Sequence, residues 1–285
     1  MFFDFQLFIF DFKIMAKSKR PISYYFLAAF FGLFVLFLYG PMFVMFLLSL
    51  QGPKGTLTFP MRGFSFYWLQ SVFEEQRVGN FVEAFSRSFS LAIIIALITV
   101  VFSVLAGLAF RKQFKGSSVV FYLTISSLIV PSILVSLGIG ILFSLIDLPV
   151  QWFSSALAGH LTWTLPFAFL IMLGIFGRFN PAYEEAARDL GASETTTFWE
   201  IVFPLIAASV VGVALLGFTL SYDEFTRTSL ISGETNTLPL EIFGMTTNVT
   251  SPALYALGTL TTIFSFALIG VALFAMKMLS RRQTK

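Results

Sequence analysis

Residues 184–206, EEAARDLGASETTTFWEIVFPLI, crowd Glu184, Glu185, Arg188, Asp189, Glu194 and Glu200 into one short stretch of an otherwise oily chain. Apolar runs of membrane grade flank it on both sides, and local chemistry predicts its shape. Asn180 can cap a helix whose first turn holds Pro181. Glu184 and Glu185 then lie early in that helix, where the dipole favours negative charge. Gly191 stands where the helix should stop in a left-handed cap. Ser193 restarts a helix as its N-cap, with Glu194 in the first turn. Phe198, Ile201 and Val202 fall at helical spacing and give this second helix an apolar face; Pro204 meets the membrane. The prediction is a helix–glycine–helix elbow, small in the middle (Ala186, Ala187, Gly191, Ala192) and charged at its edges. Such a surface suits a protein that grips it. On local physics alone, a solvated loop with two helical turns is the simpler account.

The class of the whole chain follows from composition. Of the 285 residues 57% are hydrophobic and only 12% charged, and 38 are phenylalanine. Soluble domains carry about one-quarter charged residues, so too few charges are present here to cover a water-facing surface. Several apolar runs approach or exceed the roughly 20 residues that cross a bilayer. The chain is therefore expected to be an all-α integral membrane protein. It has no cysteine, which excludes disulfides and thiolate metal sites. Its net charge of +3 fits basic cytoplasmic loops and does not point to nucleic acid.

Six spans are expected, at about 24–50, 88–110, 118–145, 155–176, 204–220 and 253–279. Lys13, Lys17, Lys19 and Arg20, then Arg111, Lys112 and Lys115, then Arg178 and Arg188, and finally Lys277, Arg281, Arg282 and Lys285 mark one side. The positive-inside rule places that side, with both termini and the elbow, in the cytoplasm. Residues 1–23 read as a cytoplasmic N-terminal segment, in which Met15 is expected to be the start of translation, and 24–285 as one transmembrane domain. In the long outer loop, FSFYWLQSVF (64–73) and NFVEAF (80–85) read as short amphipathic surface helices. Pro131 and Pro166 fall inside spans and are expected to kink them.

Ionisable groups near lipid depth are the candidates for a solute path. Asp223 and Glu224 are neighbouring carboxylates at the outer end of the fifth span. Tyr222 and Trp163 could add cation–π faces, and Glu241 could face the same cavity. The alternative is an aqueous outer loop in which these carboxylates pair with Arg227. His160 is the only histidine, so packing or a hydrogen bond is expected of it and metal binding is not. Asn248-Val249-Thr250 matches a glycosylation sequon, which is read as accidental.

One multi-point pattern goes further. Glu185-Ala186-Ala187, then Gly191, then Ile201, then Phe203-Pro204 resembles the EAA loop of ABC importer permeases, with Phe203 in place of the usual leucine. GHLTWTLPF (159–167), LGFTLSYDEFTRTSLISG (216–233), TLPLEIFGM (237–245) and SPALYALGTL (251–260) extend the likeness over most of the chain from about residue 24. These segments are similar to the second permease of bacterial spermidine/putrescine importers. The resemblance implies the type I ABC importer permease fold in the bacterial inner membrane. It implies that about 177–204 is a coupling loop seated on an ATPase through Glu185, Ala186, Ala187, Gly191, Ile201 and Pro204. The implied partners are an ATP-binding subunit dimer, a second related permease and an external solute-binding protein. The chain has no GxxxxGK[ST] stretch to cradle phosphate, so it is expected to be non-catalytic, with ATP and magnesium held by the partner. The implied cargo is a polyamine; related permeases carry opines or amino-acid-like solutes. A secondary transporter free of any ATPase, or an intramembrane enzyme, would need internal symmetry or a catalytic pair, and neither is evident.

Overall fold

The computed structural model describes residues 21–74, 80–112, 114–248 and 251–282. The expected start at Met15 lies outside the described residues, as does most of the sequon. The described residues form helices and connecting turns, with one isolated β-bridge between Gln51 and Phe64. In chain order the helices are α1 (Ile22–Ser49), α2 (Tyr67–Ser71), α3 (Phe81–Phe110), α4 (Ser117–Ser126), α5 (Ser132–Leu145) and α6 (Ser155–Gly177). There follow α7 (Ala182–Asp189), α8 (Glu194–Thr197), a π-helical turn (Phe198–Val202), α9 (Phe203–Tyr222), α10 (Thr228–Ile231), α11 (Leu238–Asn248) and α12 (Ala253–Arg282). Among the described residues, five stretches are long and apolar enough to cross a membrane: α1, α3, α6, residues 194–222, and α12.

Two expectations are corrected. The third span, 118–145, is not one helix. It divides into α4 and α5, each too short to qualify alone. Pro131 is the cause: it lacks an N–H, its ring crowds the preceding turn, and it is extended at φ −53°, ψ 129°. Pro166, by contrast, lies within continuous α6. The second correction concerns residues 80–85, which form no separate surface helix. They are the first turns of α3, and the Asn80 side chain caps that helix by accepting from the Glu83 N–H. Of the expected helix at 64–73, only α2 is helical.

The core is built on α3, α6 and α9, which pack against one another; α12 lies beside α9, and α1 beside α12. Polar side chains lock this centre where hydrocarbon offers no water. The Thr99 and Thr164 hydroxyls meet at 3.1 Å between α3 and α6, both buried. Apolar packing is concentrated at the two ends. Near the elbow, Val104, Met172, Phe176, Val202 and Ile206 form one buried cluster. At the far end, Ala92, Phe218, Tyr222, Leu238 and Leu257 form another. Helix α1 buries almost nothing, and its Phe, Leu and Tyr side chains stand exposed along its length. That surface suits lipid or another membrane helix, not water.

Candidate functional site

The elbow is built by local capping, residue by residue. The Asn180 carboxamide oxygen accepts from the Ala182 N–H at 3.1 Å, and the carbonyl of Pro181 accepts from Glu184 and Glu185. Helix α7 then runs for two turns with Glu185, Ala186 and Arg188 exposed and Ala187 half-buried. Its C-terminus closes in a Schellman motif: Gly191 N–H donates to Arg188 O at 2.8 Å and Ala192 N–H to Ala187 O at 3.0 Å. Gly191 has φ +87°, and a Cβ there would meet nothing within 4 Å. Ser193 caps the next helix by accepting from the Thr196 N–H at 3.1 Å.

The second arm departs from a simple α-helix. Phe198–Val202 is a π turn, closed by the Phe203 N–H on the Phe198 carbonyl. Pro204 supplies a physical reason: it has no N–H to offer Glu200, and a wider turn relieves its ring. Val202 is buried in the elbow-end cluster and Phe198 packs against it; Ile201 is half-buried and Pro204 exposed. The arm therefore continues into α9 without a break over residues 194–222.

At the other end of α9, a cavity of about 420 Å³ opens among α1, α9, α11 and α12. Tyr222 and Asp223 both line it, with Phe218, Phe264, Thr262 and Ser265. Tyr222 stacks on Phe218 at 5.6 Å between centroids and lies 5.4 Å from Phe264. Asp223 is exposed, so one carboxylate faces aromatic rings and hydroxyls, a combination suited to an ammonium group.

The other expected path residues lie elsewhere. Buried Glu224 folds back on Arg227, accepting from its backbone N–H at 2.8 Å and from Nη1 at 3.3 Å. The Arg227 guanidinium lies 4.8 Å over the Trp163 ring. Glu241 is buried and accepts from Asn236 Nδ2 at 2.9 Å. Trp163, Glu224 and Glu241 therefore do not line the cavity that holds Tyr222 and Asp223. The segment after α9 is strapped to α6 instead. Thr228 gives its hydroxyl proton to Glu224 O at 2.6 Å, so His160 Nε2 donates to Thr228 at 2.8 Å. His160 Nδ1 shares a 2.8 Å hydrogen bond with Ser221 Oγ. The lone histidine is thus a buried structural crosslink. Among the described residues, no three His, Asp or Glu side chains converge as a metal site requires.

Sequence reasoning passed over the aromatic walls Phe218 and Phe264, which lie on different helices with no local signal to join them. In the sequence Arg111 reads only as a topology charge, yet this residue contacts the elbow directly.

Residues 99–285 match the family model described as "Binding-protein-dependent transport system inner membrane component". The chain belongs to this family. It is a membrane permease component of the inner membrane and a transport subunit of a binding-protein-dependent system. Among curated proteins, the permease is 30% identical over 210 residues to the spermidine/putrescine transport system permease protein PotC of Haemophilus influenzae, covering 73% of this chain and 80% of that one. It is 28% identical over 251 residues to PotC of Escherichia coli K12, covering 87% and 91%. Among solved structures, a bacterial alginate ABC transporter, crystallised with its alginate pentasaccharide-bound periplasmic protein, contains a chain that superposes with a TM-score of 0.62. That superposition covers 93% of this permease and 95% of the other chain at 19% identity, which speaks to the fold alone.

Proposed function

We propose that this permease is the membrane-spanning subunit of an ATP-driven importer that moves polyamines such as spermidine or putrescine inward from a solute-binding protein. In this reading α4 and α5 cross together as one broken span, giving six crossings with both termini and the elbow in the cytoplasm. A dimer of ATP-binding subunits grips the elbow at Glu185, Ala186, Ala187, Gly191, Ile201 and Pro204, and a second related permease completes the path. Closure of the ATP-loaded dimer pulls the elbow and turns the spans outward; hydrolysis returns them.

The observation that carries the reading is that one helix joins the two candidate sites. The second arm of the elbow continues into α9, whose 20 residues end at Asp223 and the cavity. At 1.5 Å per residue, α9 spans about 30 Å, the thickness of the hydrocarbon core. A pull on the elbow is therefore a pull on the carboxylate that faces solute. The polyamine assignment draws on the PotC relatives and on the pairing of Asp223 with aromatic rings.

Reconstitution with two ATP-binding subunits, the second permease and the binding protein tests it. Spermidine or putrescine should stimulate ATP turnover and accumulate inside vesicles. Stimulation by an opine or an amino acid in place of polyamines would overturn the cargo, and transport by this chain alone would overturn the machine.

A further inference from the structure

Arg111 follows the last residue of α3 and reaches across to the first turn of α7. Its Nη1 donates to Glu184 Oε1 at 2.9 Å and its Nη2 to Oε2 at 2.6 Å. This is a two-pronged fork, which fixes orientation as well as distance. The same guanidinium also lies over two aromatic rings. Its carbon lies 5.7 Å from the Phe176 ring centroid, near the end of α6, and 5.1 Å from Phe179, just beyond it. One side chain thus touches the ends of α3 and α6 and the start of the elbow.

Backbone packing supports the contact. Gly107 lies one turn before Arg111, and a Cβ there would stand 2.6 Å from Phe176 Cδ2. The bare glycine is what lets the Phe176 ring lie close against α3, within reach of the guanidinium. The pair is also screened from water, with 21% of the Arg111 side chain and 13% of the Glu184 side chain exposed. Exposed ion pairs contribute little, but a shielded bidentate one holds its geometry. It forms one wall of an elbow-side cavity of about 700 Å³, with Lys112, Arg188, Glu194 and Trp199 around it.

The elbow therefore has three attachments to the bundle. Its first arm follows α6 through residues 178–181, its second arm continues covalently into α9, and the fork pins the first arm to α3. Helices α3 and α9 share the most extensive packing in the molecule. Held by its two chain connections alone, the elbow would move with α6 and α9; with the fork in place it must carry α3 as well.

We propose that Arg111 is a positioning residue that passes displacement of the elbow to α3 through its fork on Glu184. This inference rests on the importer reading above, and the experiment separates the two. In the complete reconstituted assembly, Arg111→Ala, Glu184→Ala and the double variant are compared for polyamine uptake per ATP hydrolysed and for retention of the ATP-binding subunits. Each single variant should keep the subunits bound and lose at least fivefold in uptake per ATP. The double variant should be no worse than the poorer single one, since both remove the same link. Arg111→Lys, which keeps charge without the fork, should fall between. The chain has no cysteine, so Arg111→Cys combined with Glu184→Cys can be rejoined by a short bifunctional thiol reagent, and uptake per ATP should recover. Unchanged uptake per ATP in Arg111→Ala, losses that multiply in the double variant, or no recovery on rejoining would overturn the proposal. Failure of the unmodified permease to retain the ATP-binding subunits would overturn the importer reading, and the inference with it.

Discussion

Gly191 separates docking from mere turning, because strain and bulk can be varied independently there. Its φ of +87° is the left-handed conformation, and the space a Cβ would enter is open within this chain. Alanine adds one methyl and costs about 1–2 kcal/mol in that conformation. That amounts to a roughly 5- to 30-fold fall in the population of the correct corner. Asparagine tolerates the left-handed region better but adds more bulk. If the elbow only needs to turn, Asn should transport better than Ala. If the corner seats in a partner's groove, the order reverses, and Gly191→Asp, which adds bulk and charge, should abolish uptake while the protein stays in the membrane. The assay is labelled polyamine uptake per membrane-inserted permease, with co-purification of the ATP-binding subunits measured alongside. Full uptake by the Asn variant, with those subunits retained, would refute the seat.

Asp223→Asn should reduce polyamine uptake more than Asp147→Asn, because Asp223 lines the cavity and Asp147 does not; equal effects would remove Asp223 from the path. Gly107→Ala should lower the thermal stability of the detergent-solubilised permease by about 1–3 kcal/mol through overpacking against Phe176, and an unchanged unfolding temperature would count against that packing. The Arg111 hydrogen bonds hold the Glu184 carboxyl below its ordinary value of 4.5, against the opposing effect of burial. A carboxylate lowered in the folded state stabilises it above its usual pKa and loses that contribution as pH falls through the depressed value. Emission from a single-tryptophan variant keeping Trp199, which lines the same cavity, should therefore stay flat from pH 8 to about pH 5. A transition centred above pH 5 would contradict it.

The features legible in the sequence are local. Asn180, Gly191 and Ser193 each act on backbone groups within a few residues of themselves, so the elbow's shape was legible. Pro131 announced a disturbance but not its size, because a kink and a full break differ in what packs nearby. NFVEAF (80–85) reads as a short amphipathic surface helix, yet it opens the long α3, whose first turns carry Glu83 and Arg87. They pair with each other at 3.2 Å on the first turns of α3. Arg111 and Glu184 lie 73 positions apart; no local pattern links them, and the packing of α3 on α6, close where Gly107 meets Phe176, brings them together. The same limit applied to the path residues. Tyr222 and Asp223 share a wall because they are chain neighbours, whereas Glu224, next in line, is turned away by Arg227.

The wide turn at Phe198–Val202 acts on angle as well as on fit. Each residue of an α-helix advances about 100° around the axis, and a π turn holds one more residue than an α turn. Every side chain from Phe203 onward is therefore phased one step away from a plain helical continuation of α8. Closing that turn to plain α geometry with every residue kept would leave both arms intact yet swing Asp223 about 100° around the axis of its own helix. The azimuth of Asp223 is thus set partly at the far end of α9, by a count of peptide units.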